Sequence, residues 1–168
     1  MSRDTKQLAA YSSVCHINLV IRGVMMVSPG IFTRSYMVSL SHGYISTLIF
    51  FIIGEISHGR GTRVVYFTCG VSRVSSLLAV TYCLTLLANT GIPPYLSFWG
   101  ELMLLTRMLS VESLMIVFLF GYFILALYYN FFVLTRLIKG RTKMYRVTGL
   151  AVMISGLLPT LSVLFFLF

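Results

Sequence analysis

The sequence predicts an all-α polytopic membrane protein with about five transmembrane helices, the third of them interrupted at Pro93-Pro94. Three observations lead there. Of 168 residues, 58% are hydrophobic and 10% charged, with a mean hydropathy of +0.92, more apolar surface than a soluble domain of this size can hide. The apolar residues come in runs close to the roughly 20 that a helix needs to cross about 30 Å of hydrocarbon. Lipid offers no hydrogen bonds to the backbone, so only helices or a closed barrel can span it, and the alternating strands of a barrel are absent.

The first helix is expected from about Leu8 to Val27, where Ser28-Pro29-Gly30 stops it. The second runs from about Ile31 to Ile56, and a glycine- and arginine-rich loop with His58, Arg60, Arg63 and Arg73 follows. Ser75 to Thr90 is apolar again until Gly91-Ile92-Pro93-Pro94 breaks it. The next stretch, Tyr95 to Leu109, is too short to cross comfortably alone, so 75–109 is either a tight pair of passes or one helix broken near 91–97. A further helix spans about Ser113 to Ile138, then come Lys139, Arg141, Lys143 and Arg146, and a last helix runs from Val147 to Phe168.

Charge arbitrates the middle segment. One broken pass puts Arg3, Lys6, Arg60, Arg63, Arg73 and the late basic loop on one side, with Arg22, Arg34 and Arg107 toward the other. Two passes bring the sides near parity, against the positive-inside tendency. The expectation is therefore a single transmembrane domain over 1–168 with five passes. Broken helices survive at membrane depth only where protein or a wet cavity satisfies the freed backbone, which is common at ion sites.

The net charge of +9 is distributed among short loops and forms no stripe, so no nucleic acid is expected as a partner. Cys15, Cys69 and Cys83 are scattered, which suggests neither disulfides nor a metal site. Met1 to Gln7 is a short polar lead with no cleavage signal, so insertion without a cleaved leader is expected. No phosphate-cradling loop, nucleophile elbow, haem spacing or iron–sulfur spacing is visible, and no catalytic, metal or cofactor-binding residue is assigned.

Ionisable residues at membrane depth are costly and point to function. Glu101 lies just past the proline break. His42 sits near the middle of the second helix with Ser35, Ser39 and Ser46 at i−7, i−3 and i+4, and His16 in the first helix has Ser12 and Ser13 one turn behind it. Imidazole takes and releases protons near neutral pH, so the two stripes and the carboxylate form a candidate proton relay. The alternative is that each histidine only hydrogen-bonds a neighbouring helix and that Glu101 pairs with a cation such as Arg107. Thr81, Thr85 and Asn89 repeat at i, i+4 and i+8 toward the break, suited to ordering water or to helix packing. His58 is expected in a solvated loop. Tyr122, Phe123, Tyr128, Tyr129, Phe131 and Phe132 are expected to face lipid and the interface.

The block Asp4-Thr5-Lys6-Gln7-Leu8-Ala9-Ala10-Tyr11-Ser12-Ser13-Val14-Cys15-His16, followed by Ser41-His42-Gly43, Leu87-Ala88-Asn89 and Phe98-Trp99-Gly100-Glu101, resembles the antiporter-like membrane subunits of respiratory complex I. The resemblance covers essentially the whole chain. It implies the C-terminal half of a fold built from two inverted repeats, each with one interrupted helix and a central proton relay. It further implies relay roles for His16 and His42, a terminal proton-carrying role for Glu101, and a role for Lys6 near the membrane edge. The basic side would face the matrix of the mitochondrial inner membrane. Flavin, iron–sulfur clusters and ubiquinone would sit in other subunits. Expected partners are a separate polypeptide supplying the N-terminal half, neighbouring antiporter-like subunits, and lipids. A residual piece with a structural role, or a fragment of a related sodium–proton antiporter, are the other readings.

Overall fold

The computed structural model describes residues 4–25, 30–64, 69–73, 75–93, 95–111 and 114–139. Helix α1 spans Thr5–Met25, α2 Ile31–Arg60, α3 Ser76–Asn89, α4 Leu96–Val111 and α5 Met115–Ile138. Of these, α1, α2 and α5 are each long and apolar enough to cross a membrane. The expected helix over 147–168, Pro94 and the Ser28-Pro29 stop lie outside the described residues.

Helix α1 begins three residues earlier than hydropathy suggests because Asp4 caps it. The Asp4 carboxylate accepts the Lys6 backbone N–H at 3.0 Å, and its carbonyl accepts Leu8 N–H at 3.2 Å, the pattern of an N-cap. Thr5 then donates its hydroxyl to the Arg63 carbonyl at 3.0 Å, pinning this end of α1 to the chain that leaves α2. Helix α2 runs four residues past the expected Ile56 and ends at Gly61, whose φ of 69° lets its N–H reach back to Ser57 O at 2.9 Å. His58 is therefore an exposed residue of the last helical turn, not of a loop. Ser75 caps α3 by accepting from Leu78 N–H at 3.3 Å.

Two apolar clusters define how the helices run. The first joins Ala9 of α1, Ile45 to Ile56 of α2, Leu78 to Ala88 of α3 and Val133 of α5. The second joins Leu19 of α1, Ile31 and Val38 of α2, and Leu104 to Met108 of α4, with Leu119 and Phe123 of α5 against it. Helix α1 passes from the first cluster to the second and α2 returns. Helices α3 and α4 then pack in succession along α2, each antiparallel to it, and α5 returns again. Helices α3 and α4 thus follow one another in the same direction, with Thr90 to Pro93 outside either helix. Lys6, Arg63, Arg73 and Lys139 fall at the first-cluster end, where Ser72 also bonds the Ile138 carbonyl. Arg22, Arg34 and Arg107 fall at the other.

Lipid tails are as apolar as leucine, so contacts inside such a bundle are held by close packing. Gly100 shows this: a Cβ there would lie 3.0 Å from Val38 Cγ2 and 3.2 Å from Val38 N. The absent side chain is what lets α4 touch α2. Phe32, Tyr36, Val117, Phe118, Phe120 and Leu125 are exposed on the outer faces, as lipid-facing residues should be.

Candidate proton-relay site

The break between α3 and α4 leaves the last carbonyls of α3 without helical partners. Hydroxyls and two amides take them up: Ser97 donates its hydroxyl to Ala88 O at 2.6 Å, Thr90 its hydroxyl to Leu87 O at 2.6 Å and its N–H to Leu86 O at 3.1 Å, and Gly91 its N–H to Ala88 O at 3.3 Å. Gly91 adopts φ 65°, and a Cβ on it would stand 2.8 Å from Glu101 Oε2. The glycine therefore serves twice, in the turn and in the close approach of the chain to a carboxylate. Glu101, in the second turn of α4, is only 3% exposed.

Around Glu101 the other helices bring their polar residues. Nδ1 of His16 lies 3.0 Å from Glu101 Oε1 and 3.1 Å from the Tyr122 hydroxyl of α5. Only the tyrosine contact has hydrogen-bond geometry. Glu101 Oε1 is buried without a hydrogen bond, so its closeness to His16 is an approach within reach of proton transfer and not a formed bond. The His16 and His42 rings stand 4.9 Å apart between centroids, tilted by 44°, and His42 Nε2 is likewise buried without a hydrogen bond. A tight crevice is lined by His16, Ser41, His42, Asn89, Ser97 and Glu101.

Asn89, the last residue of α3, connects this crevice to a second cleft. Its Nδ2 donates to the Tyr129 hydroxyl and, at 3.5 Å, to Asn130 Oδ1. Asn130 in turn donates to Ala126 O at 2.9 Å. The second cleft, narrow as well, is lined by Thr5, Ser12, Tyr82, Asn89 and Tyr129 among apolar residues and leads toward the first-cluster end.

The structure brings His16, His42, Glu101 and Asn89 together, and it places the other expected residues as follows. Ser12 is buried in the second cleft and bonds Ala9 O at 2.7 Å, while Ser13, half-buried, bonds the same carbonyl at 3.3 Å. Thr85 is buried and bonds Tyr82 O at 2.9 Å. Ser39 is exposed and bonds Ser35 O at 2.8 Å; Ser46 bonds Gly43 O at 3.1 Å. The face of α2 that meets the crevice carries Val38, Ser41, His42 and Ile45, an i, i+3, i+4, i+7 row. Ser39 and Ser46 each follow a residue of that row by one position, about 100° round the helix. The expected stripe is corrected accordingly. Lys6 is half-buried in the first turn of α1, about 15 Å along the helix from His16.

Tyr122 and Tyr129 correct the expectation of a wholly lipid-facing aromatic run. Tyr128 and Phe131 do face outward, at 64% and 48% exposure, but the other two tyrosines turn their hydroxyls to His16 and Asn89. Their spacing of seven, with Asn130 at eight, is the signal that sequence reading passed over: a single polar row on an otherwise apolar helix. Ser41 and Ser97 were also missed. Among the described residues no group of histidine, cysteine, aspartate and glutamate side chains could hold a metal ion.

Chemically, the arrangement can move a proton and little else. A protonated Glu101 can deliver to Nδ1 of His16 across 3.0 Å, and the adjacent imidazole of His42 can take the charge onward.

Two successive helices separated by a break, with a buried carboxylate beside it and two adjacent histidines on neighbouring helices, place the chain among polytopic membrane proteins of the antiporter-like class. Residues 1–127 match the family described as NADH:quinone oxidoreductase/Mrp antiporter, TM, and the chain belongs to it. It is similar to NADH-ubiquinone oxidoreductase chain 4 of Caenorhabditis elegans, with 35% identity over 138 residues, 82% of this chain and 34% of the relative. The protein of the same name from Ascaris suum is 34% identical over 82% of this chain and 34% of its own length. That of Chondrus crispus is 30% identical over 84% of this chain and 29% of its own. The chain thus spans about a third of the length of the curated relatives it matches.

Proposed function

We propose that this chain is the C-terminal part of a proton-translocating membrane-arm subunit of respiratory complex I in the mitochondrial inner membrane. In this reading Glu101, His16 and His42 carry protons through the middle of the bilayer while NADH oxidation and ubiquinone reduction proceed elsewhere. Flavin, iron–sulfur clusters and ubiquinone belong to other subunits. Neighbouring antiporter-like subunits flank this chain. Lys6, at the basic end, is the residue nearest the matrix side of the path. Ser12, Asn89 and Tyr129 line the approach from that end.

The observation that carries this reading is the single contiguous cluster of Glu101, His16 and His42, contributed by three helices and centred between two apolar layers. A carboxylate that served only packing would gain from a cation or from hydrogen bonds, yet Oε1 has no hydrogen bond and faces a titratable ring. Glu101→Gln in the assembled complex tests it, because the amide keeps the shape and cannot shuttle a proton. Proton translocation per NADH should fall while the complex still assembles. Full pumping in that variant, with apolar replacements of both histidines also tolerated, would leave a structural membrane element instead.

A further inference from the structure

The nitrogen that faces Glu101 is also the one that faces Tyr122. Nδ1 of His16 has Glu101 Oε1 at 3.0 Å and the Tyr122 hydroxyl at 3.1 Å. One ring nitrogen has one proton or one lone pair in the plane of the ring, so it cannot serve both partners at once. In the structure the tyrosine holds it: that contact has hydrogen-bond geometry, and the carboxylate oxygen is left unpaired. The three groups come from three different helices, α1, α4 and α5. A small movement of α5 against α4 would therefore change the partner of Nδ1 without moving the histidine.

We propose that Tyr122 is a positioning residue that competes with Glu101 for Nδ1 of His16 and so opens and closes the proton step between them. The proposal rests on the relay reading above. In the closed arrangement His16 is neutral with its proton on Nε2, and the Tyr122 O–H donates to the Nδ1 lone pair. The lone pair is then occupied, and a proton on Glu101 has nowhere to go. When the hydroxyl turns away, the Glu101 O–H bond breaks and an Nδ1–H bond forms, giving a carboxylate beside an imidazolium. That pair is held by a charge-assisted contact. The tyrosine returns once the Nδ1–H bond has broken and that proton has gone to His42. This leaves His16 neutral with its proton on Nε2 and the Nδ1 lone pair free, and Glu101 takes up the next proton of the path. No electron moves and no other reactant is needed.

The groups facing His16 are His42 from α2, Glu101 from α4 and Tyr122 from α5, with Asn89 of α3 beyond them in the same crevice. The Tyr122 ring meets the His16 ring edge-on, with centroids 6.2 Å apart and planes at 83°, and it also packs edge-on against Phe123. Phenylalanine at 122 keeps those ring contacts and removes only the hydroxyl.

The test uses the assembled complex reconstituted in liposomes, comparing wild type, Tyr122→Phe, Glu101→Gln and the double variant. One hydrogen bond to a charged or charging group sets the scale, about a ten-fold change in the population of the closed arrangement. Tyr122→Phe should oxidise NADH normally, lower the protons moved per NADH, and raise passive proton leak without NADH by about ten-fold. Adding Glu101→Gln should abolish that leak, because its donor is gone. An unchanged leak in Tyr122→Phe overturns the proposal, as does a leak that persists in the double variant, which would mark a packing defect. Should Tyr122→Phe fail to assemble, Tyr122→Met, also lacking a donor, carries the same expectations. If Glu101→Gln alone pumps fully, the relay reading itself falls; if it stops pumping and Tyr122→Phe behaves as wild type, only the gate falls.

Discussion

Replacing Gly91 by alanine should disable the relay through a methyl group that never touches a proton. Two effects follow from the structure. The backbone at Gly91 has φ 65°, where an L-residue costs about 1–2 kcal/mol. The new Cβ would also stand 2.8 Å from Glu101 Oε2 and 3.4 Å from its Cδ, against a comfortable separation of roughly 3.5 Å. The carboxylate must retreat by about 0.5–1 Å, and its Oε1 is the atom 3.0 Å from His16. Misplacement of reacting groups on that scale costs up to about 100-fold in rate. Gly61→Ala separates the two effects, since Gly61 has φ 69° and nothing lies within 4 Å of its Cβ position. Both variants should lose similar thermal stability as purified complexes. Only Gly91→Ala should lower proton translocation per NADH, by about ten-fold or more. Equal pumping by the two variants, with both complexes intact, would refute the claim that Glu101 is held in register by the turn beside it.

Asn89→Leu should destabilise the bundle by about 1–3 kcal/mol, because it removes the donor to buried Asn130 Oδ1 and one of the partners of the Tyr129 hydroxyl. Thermal unfolding of the complex reads this, and adding Tyr129→Phe should recover part of the loss. Gly23→Ala would bring its Cβ to 2.7 Å from Leu104 Cδ1, a fully buried side chain, and should cost about 1–3 kcal/mol by overpacking. Gly43→Ala on α2, with nothing within 4 Å, should leave stability unchanged.

Much of the fold was legible because apolar run length is a direct consequence of bilayer thickness. The ends were less so. Asp4 and Gly61 moved the termini of α1 and α2 by three and four residues, since capping groups and left-handed glycines set the last turn and hydropathy does not register them. At the site, Glu101, His16 and His42 could be singled out because each is an expensive group inside an apolar run. Tyr122 and Tyr129 could not, because a tyrosine is at home both at a membrane interface and in a polar network.

By itself the sequence determined the solvent of this protein, its helical class, the break that separates α3 from α4 and the short list of ionisable groups within apolar runs. These follow from local quantities: hydropathy over one helix length, proline and glycine, and the rarity of ionisable side chains in apolar runs. Only the tertiary structure decided which of those groups meet. It rotated Ser39 and Ser46 off the crevice face of α2, placed Ser41 of α2 and Ser97 of α4 in the crevice, and aimed two tyrosines of α5 inward. The physical reason is that a helix fixes its own faces but not the neighbour each one meets, and that choice depends on how α1, α2, α4 and α5 pack together.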